Sequence, residues 1–286
     1  MARSKFTLPD LKAKNEQGAA ITMVTAYDYP SALLADRAEM DLILVGDSLA
    51  MVVLGLESTV AVTMDEMLHH CRAVARGARY AHLVGDMPFL SYQISDLEAV
   101  RNAGRFLKES GMDSVKLEGG RTAARTVESI VTAGIPVMGH IGLTPQSVSM
   151  LGGYRVQGRD AQTAIRLVDD ARALQEAGCY ALVLEAIPAP VAKAITDRVE
   201  IPTIGIGAGV DCDGQVLVYH DLLGMFDRFS PSFVKKYANL SEQIVEALSA
   251  FREDVAQRRF PGSEHAYTMD DEALADFYER LADREI

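Results

Sequence analysis

The stretch Leu42-Ile43-Leu44-Val45-Gly46-Asp47-Ser48 decides how this chain reads. Four apolar residues in a row suit a buried parallel strand and are too few for a helix. A glycine, a carboxylate and a hydroxyl follow where that strand should leave the core, so the acid sits at the mouth of whatever the strand helps to build. Nearly the same string returns as His82-Leu83-Val84-Gly85-Asp86-Met87-Pro88. Packing alone gives no reason for two strands that each end in Gly-Asp.

Outward from this pair the chain repeats one unit. Apolar runs at 20–25, 42–46, 81–85, 114–118, 135–140, 180–185, 201–206 and 215–219 read as eight strands. Helical patterns at 31–37, 63–76, 96–110, 122–132, 161–177 and 190–198 separate most of them, after a short polar helix at 9–14. Thr63 with Glu66 three residues on forms a capping box, and Gly111, Gly134 and Gly178 stop helices. Helical signal is faint after the first and seventh strands. Eight βα units predict a (β/α)8 TIM barrel rather than an open doubly wound sheet. No Gly-x-Gly-x-x-Gly stands at a first strand–helix turn. The glycine-rich Gly205-Ile206-Gly207-Ala208-Gly209 follows the seventh strand instead, as a loop for phosphate binding or close backbone approach. The expected domains are a single barrel at 1–262 and an acidic, partly helical tail at 263–286. The tail carries Leu274, Phe277, Tyr278 and Leu281 at helical spacing, which suits either a solvated helix or one docking at a subunit interface.

Composition narrows the function classes. The net charge is -12 over 286 residues, which argues against nonspecific nucleic-acid binding or a basic membrane-surface patch. Nearly half the residues, 49%, are apolar, enough for a large core, yet no run is long enough to span a membrane. The N-terminus has no apolar signal-peptide core. Cys71, Cys179 and Cys212 lie far apart and form neither a disulfide framework nor a zinc motif. A cytoplasmic protein is expected.

Only the C-terminal ends of barrel strands face an active site. The polar residues there are Asp28, Asp47, Ser48, Asp86, Lys116, Glu118, His140 and Glu185. Any one acid could simply be a helix N-cap; all of them serving so at once is a poor explanation. Asp47, Asp86 and Glu118 end three consecutive strands and can converge, which without a cation would drive up their own pKa values. All-oxygen donors select a hard divalent ion such as Mg2+. Lys116 shares a strand face with Glu118 and is either a hook for a substrate carboxylate or an ion-pair partner for the acids. His140 reads as a hydrogen-bonding group. Glu185 follows Leu182-Val183-Leu184, whose apolar surroundings should desolvate it and make it a base.

Several of these segments, taken together, resemble one family. They are Val45-Gly46-Asp47-Ser48-Leu49, Asp86-Met87-Pro88-Phe89, Val115-Lys116-Leu117-Glu118-Gly119-Gly120, Gly139-His140-Ile141-Gly142-Leu143-Thr144-Pro145-Gln146, Gly152-Gly153-Tyr154-Arg155-Val156-Gln157-Gly158-Arg159 and Ile204-Gly205-Ile206-Gly207-Ala208-Gly209. In order, from about Thr22 to His265, they are similar to the ketopantoate hydroxymethyltransferase family. The resemblance implies a barrel of the phosphoenolpyruvate/pyruvate-binding type. It implies Mg2+-dependent hydroxymethyl transfer from 5,10-methylenetetrahydrofolate to 3-methyl-2-oxobutanoate, giving ketopantoate for pantothenate synthesis. By position it assigns Asp47, Asp86 and Glu118 to the metal, the last directly or through water. It assigns Asp47, Ser48, Asp86 and Lys116 to the 2-oxo acid, with His140 on the substrate or an ordered water, and Glu185 as proton acceptor. A homo-oligomer, commonly a decamer, is implied as well. Ala50 stands where the family usually has glycine, and the tail beyond about Tyr267 exceeds the usual family end. Two other readings remain: a Mg2+-dependent C–C lyase on a 2-oxo acid, whose usual Lys-Cys-Gly-His loop is absent here, and a non-catalytic 2-oxo-acid sensor.

Overall fold

The computed structural model describes residues 3–151, 153–226 and 231–284; Gly152 of the expected long loop lies outside them. Eight parallel strands close in chain order: β1 (Ile21–Thr25), β2 (Leu42–Val45), β3 (His82–Asp86), β4 (Ser114–Glu118), β5 (Val137–Gly142), β6 (Ala181–Glu185), β7 (Thr203–Ile206) and β8 (Gly214–Leu217). The (β/α)8 expectation holds. The helices α1 (Leu8–Glu16), α2 (Tyr29–Arg37), α3 (Leu49–Val52), α4 (Met64–Gly77), α5 (Asp96–Ser110), α6 (Ala124–Thr132), α7 (Val148–Leu151), α8 (Ala161–Glu176) and α9 (Ala189–Thr196) accompany them. The faint helix after β1 is real: Asp28 caps α2 by accepting from the Ser31 backbone N–H at 2.8 Å. No helix stands between β7 and β8 among the described residues. Gly207 and Gly209 take left-handed φ values of 65° and 87°, which turn the chain straight back into β8. After β8, among the described residues, the short α10 (Tyr219–Leu222) is the one helix before the first compact unit ends.

That unit is Met1–Ala238, and a second, Asn239–Ile286, holds α11 (Leu240–Ala256) and α12 (Asp271–Ala282). The two compact units therefore divide ahead of α11. No residue of either helix is buried. Among the described residues no helix is long and apolar enough to cross a membrane. Cys71 and Cys179 are buried and Cys212 half-buried, all free thiols, and burial pushes all three up in pKa.

The strands alternate with period two, and this sorts the core into two clusters. Leu42, Leu44, Val84, Met138, Ala181, Val183, Ile204 and Val216 fill the barrel interior, joined by Leu11 of α1 from below. Ile43, Val45, Leu83, Leu117, Leu182 and Leu184 point outward onto the helices, against Phe106, Leu174 and others. Continuing the inward parity to the strand ends brings Asp86, Lys116, Glu118, His140 and Glu185 into the barrel mouth. This alternation links core to site.

Outward packing is close enough to exclude side chains in places. A Cβ on Gly85 would meet Phe106 Cδ1 at 2.4 Å and Met112 Cγ at 3.1 Å. Phe106 is fully buried and cannot swing away. Gly85→Ala should therefore destabilise the fold by about 1–3 kcal/mol through overpacking, read as a lower urea midpoint with an unchanged slope. The glycine-rich loop after β7 follows the same logic. A Cβ at Gly207 would strike Phe233 at 2.6 Å and one at Gly209 would strike Ala189 at 2.4 Å. The close approach expected of this loop is present at both glycines.

Candidate active site

Strand register brings the site together. β3 pairs with β4 so that Asp86 stands opposite Lys116, and β4 pairs with β5 so that Glu118 stands opposite His140. Lys116 Nζ lies 2.9 Å from Asp86 Oδ1, and the Asp47 backbone N–H donates to Asp86 Oδ2 at 3.1 Å. His140 bridges two glutamates, with Nδ1 at 3.5 Å from Glu118 Oε1 and Nε2 at 3.1 Å from Glu185 Oε2. Lys116 Nζ is 3.2 Å from His140 Nδ1. A continuous polar chain thus runs from Asp47 on β2's end to Glu185 on β6.

Charge is crowded here. Burial, and then repulsion from Asp86 and Glu118, raise the Asp47 carboxyl well above the ordinary aspartate range, against the pull of Lys116 and Gln146. Burial works against the Lys116 ammonium, but Asp86, Glu118 and Asp47 overcome it and hold the group protonated. Burial and Lys116 would also lower His140; the nearby carboxylates of Glu118 and Glu185 outweigh both and raise it to about 9. His140 is therefore charged at neutral pH and lies within ion-pair distance of both glutamates, without a well-formed hydrogen bond at Nε2, and Lys116 stands beside it as a like charge.

These groups line one end of a cavity of about 310 Å³. The other end, over β7, β8 and α10, is apolar, walled by Ile206, Val218, Phe226 and Phe233 with Asp221 among them. Tyr154, Arg155 and Val156 reach in from the loop after α7.

The sequence profile of ketopantoate hydroxymethyltransferase matches residues 5–263. The 3-methyl-2-oxobutanoate hydroxymethyltransferase of Moorella thermoacetica is 63% identical over 93% of this chain and 98% of its own length. The chain belongs to the ketopantoate hydroxymethyltransferase family. Among solved structures, 2,3-dimethylmalate lyase, a PEP mutase/isocitrate lyase superfamily member, superposes with a TM-score of 0.54 at 16% identity, covering 96% of this chain and 97% of its own. Phosphonopyruvate hydrolase in complex with oxalate and Mg++ does so with a TM-score of 0.57 at 14% identity, over 96% of each chain. At such identities the likeness is one of fold.

Against this family's frame, most expected site residues meet in the cavity: Asp47, Ser48, Asp86, Lys116, Glu118, His140 and Glu185 all line it. Asp28 does not, being spent on the α2 cap. Ser48 makes no cap bond with its side chain; its hydroxyl is 2.9 Å from that of Tyr27. Of the two uses of Lys116, the ion pair with Asp86 is the contact present. Glu185 needs correction. Leu182 and Leu184 point outward to the helices and cannot desolvate it, since the period-two alternation puts them on the opposite face. Its side chain is 17% exposed, against 1–4% for Asp86, Lys116, Glu118 and His140, and its environment is set by His140. Ala50 is fully buried on α3.

Sequence reasoning missed Gln146. Its side-chain N–H groups donate to Asp47 Oδ2 and the Met87 carbonyl, both at 2.9 Å, and its backbone N–H donates to Glu118 Oε2 at 3.1 Å. Tyr92 sits behind it, the hydroxyl 2.9 Å from Gln146 Oε1 and 3.1 Å from the Glu118 carbonyl. The signal was Thr144-Pro145-Gln146, a turn that closely follows the strand carrying His140.

The resemblance implies a divalent cation, and the residues fit one. Four carboxyl groups (Asp47, Asp86, Glu118, Glu185) share the site with two basic groups (Lys116, His140), an excess of acids that a cation would relieve. Asp86 Oδ1 and Glu118 Oε1 are buried and make no well-formed hydrogen bond. Among the described residues, however, no three carboxylate, imidazole or thiol groups are grouped so as to hold an ion by themselves. Glu118 is turned toward Gln146 and His140. Asp47 and Asp86 remain as the pair of oxygen donors, a number Mg2+ accepts when water and substrate oxygens complete the set.

Proposed function

We propose that this enzyme transfers a hydroxymethyl group from 5,10-methylenetetrahydrofolate to 3-methyl-2-oxobutanoate, giving ketopantoate for pantothenate biosynthesis. The observation that carries the reading is the single cavity in which Glu185, paired with His140, faces the Asp47–Asp86–Lys116 cluster. Asp47 and Asp86 would hold Mg2+, with Glu118 acting through water; phosphonopyruvate hydrolase, on the same fold, is known with oxalate and Mg++. When bound, the cation supplies Lewis-acid polarisation of the 2-oxo acid. Lys116 and Ser48 orient the substrate carboxylate and keto oxygen. Glu185 accepts the C3 proton, and His140, whose Nε2 lies 3.1 Å from Glu185 Oε2, orients its carboxylate electrostatically. The resulting carbanion attacks the donor's one-carbon unit, water completes the hydroxymethyl group, and tetrahydrofolate leaves.

The enzyme works as a homo-oligomer, a decamer by the family resemblance, in the cytoplasm, where its three free thiols stay reduced. Exposed Ile244, Leu248, Phe251 and Val255 along α11 support assembly. The test is product formation in Mg2+ and in EDTA, with and without the folate. Ketopantoate should form only when both are present, with activity lost by at least about a hundredfold in EDTA and restored by Mg2+. Activity that survives EDTA would remove the cation, and cleavage of a 2-oxo acid without folate would replace transfer by lyase chemistry.

A further inference from the structure

Asp221 is used by none of the steps above, yet it is set like a binding group. It lies on α10, whose first backbone N–H donates to Thr25 Oγ1 at 2.9 Å and so ties the helix to the end of β1. It is 8% exposed and lines the apolar end of the cavity. Among the described residues its carboxylate has no hydrogen-bond or salt-bridge partner; Lys236 acts on it only at longer range. Leaving a buried carboxylate unpaired costs stability. A chain tolerates that cost where a ligand supplies the missing donors.

The surroundings define the ligand's chemistry. The site already described takes an anionic 2-oxo acid at the opposite end, and a second carboxylate would repel such an anion. A neutral ring with adjacent N–H donors on one edge and broad apolar faces fits instead. We propose that Asp221 recognises the pterin ring of the one-carbon donor. Its carboxylate accepts the paired N–H groups of the 2-aminopyrimidinone edge, as carboxylates accept the fork of a guanidinium. Ile206, Val218, Phe226 and Phe233 enclose the ring faces. Phe233 is held there by Gly207, which leaves no Cβ in its way. The donor's ring and the oxo acid then occupy the two ends of one cavity, with the reacting carbons between them. This inference rests on the transfer reading.

The test measures tetrahydrofolate binding to the full-length enzyme by titration calorimetry, alongside KM for each substrate. Asp221→Asn, which offers one acceptor and a misplaced N–H2, should weaken tetrahydrofolate by at least about tenfold, while KM for 3-methyl-2-oxobutanoate stays within about twofold. Its thermal midpoint should not fall, since an unpaired buried charge has been removed. A 2-desamino analogue of tetrahydrofolate should bind wild-type enzyme about tenfold more weakly and bind wild type and Asp221→Asn alike, a comparison that stands even if the variant folds poorly. Equal affinity of the wild type for the two pterins, or equal loss for both substrates in the variant, overturns the role of Asp221. Wild-type enzyme that makes ketopantoate but does not distinguish the pterins sinks this inference alone. Wild-type enzyme that binds no folate sinks the transfer reading with it.

Discussion

Glu185→Gln should lower ketopantoate formation by about a thousandfold, within the range a positioned general base contributes. Glutamine keeps the shape and can still face His140, so the fold and the oxo-acid site should survive. What it loses is the ability to accept a proton. The effect should appear even without the folate, as loss of deuterium exchange at C3 of 3-methyl-2-oxobutanoate in the presence of Mg2+. Exchange at the wild-type rate in Glu185→Gln would take the base role away from this residue. His140 then becomes the group to test, since it lies 3.1 Å from Glu185 and is held near a pKa of about 9.

Asp86→Ala should be the most damaging substitution for stability as well as activity. The 2.9 Å pair it forms with Lys116 is almost wholly buried. Removing one partner strands the ammonium beside the His140 imidazolium, a loss of about 3–5 kcal/mol. Removing both charges is far milder, because the Coulombic gain of a buried pair is largely offset by the cost of desolvating it. The double variant Asp86→Ala/Lys116→Met should therefore recover most of the denaturant midpoint while remaining inactive. A double variant no more stable than the single one would show that the pair is not what holds these strand ends. Recovery of activity along with stability would exclude both residues from substrate and cation binding.

Much of this was legible before any coordinates. The strand Ser114–Glu118 and the helix Asp96–Ser110 match their expected ends, because alternation in one and cap signals in the other are strong local codes. β5 and β7 begin later than expected, each just past a proline (Pro136, Pro202) that cannot donate to the ladder. The first turn of the helix expected at 122–132 is a tight Arg121–Ala123 turn, where Asp170 takes the Arg121 backbone N–H at 2.8 Å. Such a partner lies on another helix and leaves no local trace. Gln146, Tyr92 and Asp221 were missed for the same reason: each is a single polar residue in an irregular segment or short turn, without periodicity. The environment of Glu185 differs. The alternation Leu182, Leu184 against Val183, Glu185 was in the sequence, and it places the leucines on the far face.

The central claim is carbon transfer from a folate to a 2-oxo acid, and an isotope follows it most directly. With 13C in the methylene of 5,10-methylenetetrahydrofolate, Mg2+ and 3-methyl-2-oxobutanoate, NMR should show all of the label in the hydroxymethyl carbon of ketopantoate, one tetrahydrofolate appearing per product. Ketopantoate without label, or a labelled donor left intact while the 2-oxo acid is cleaved, would contradict it.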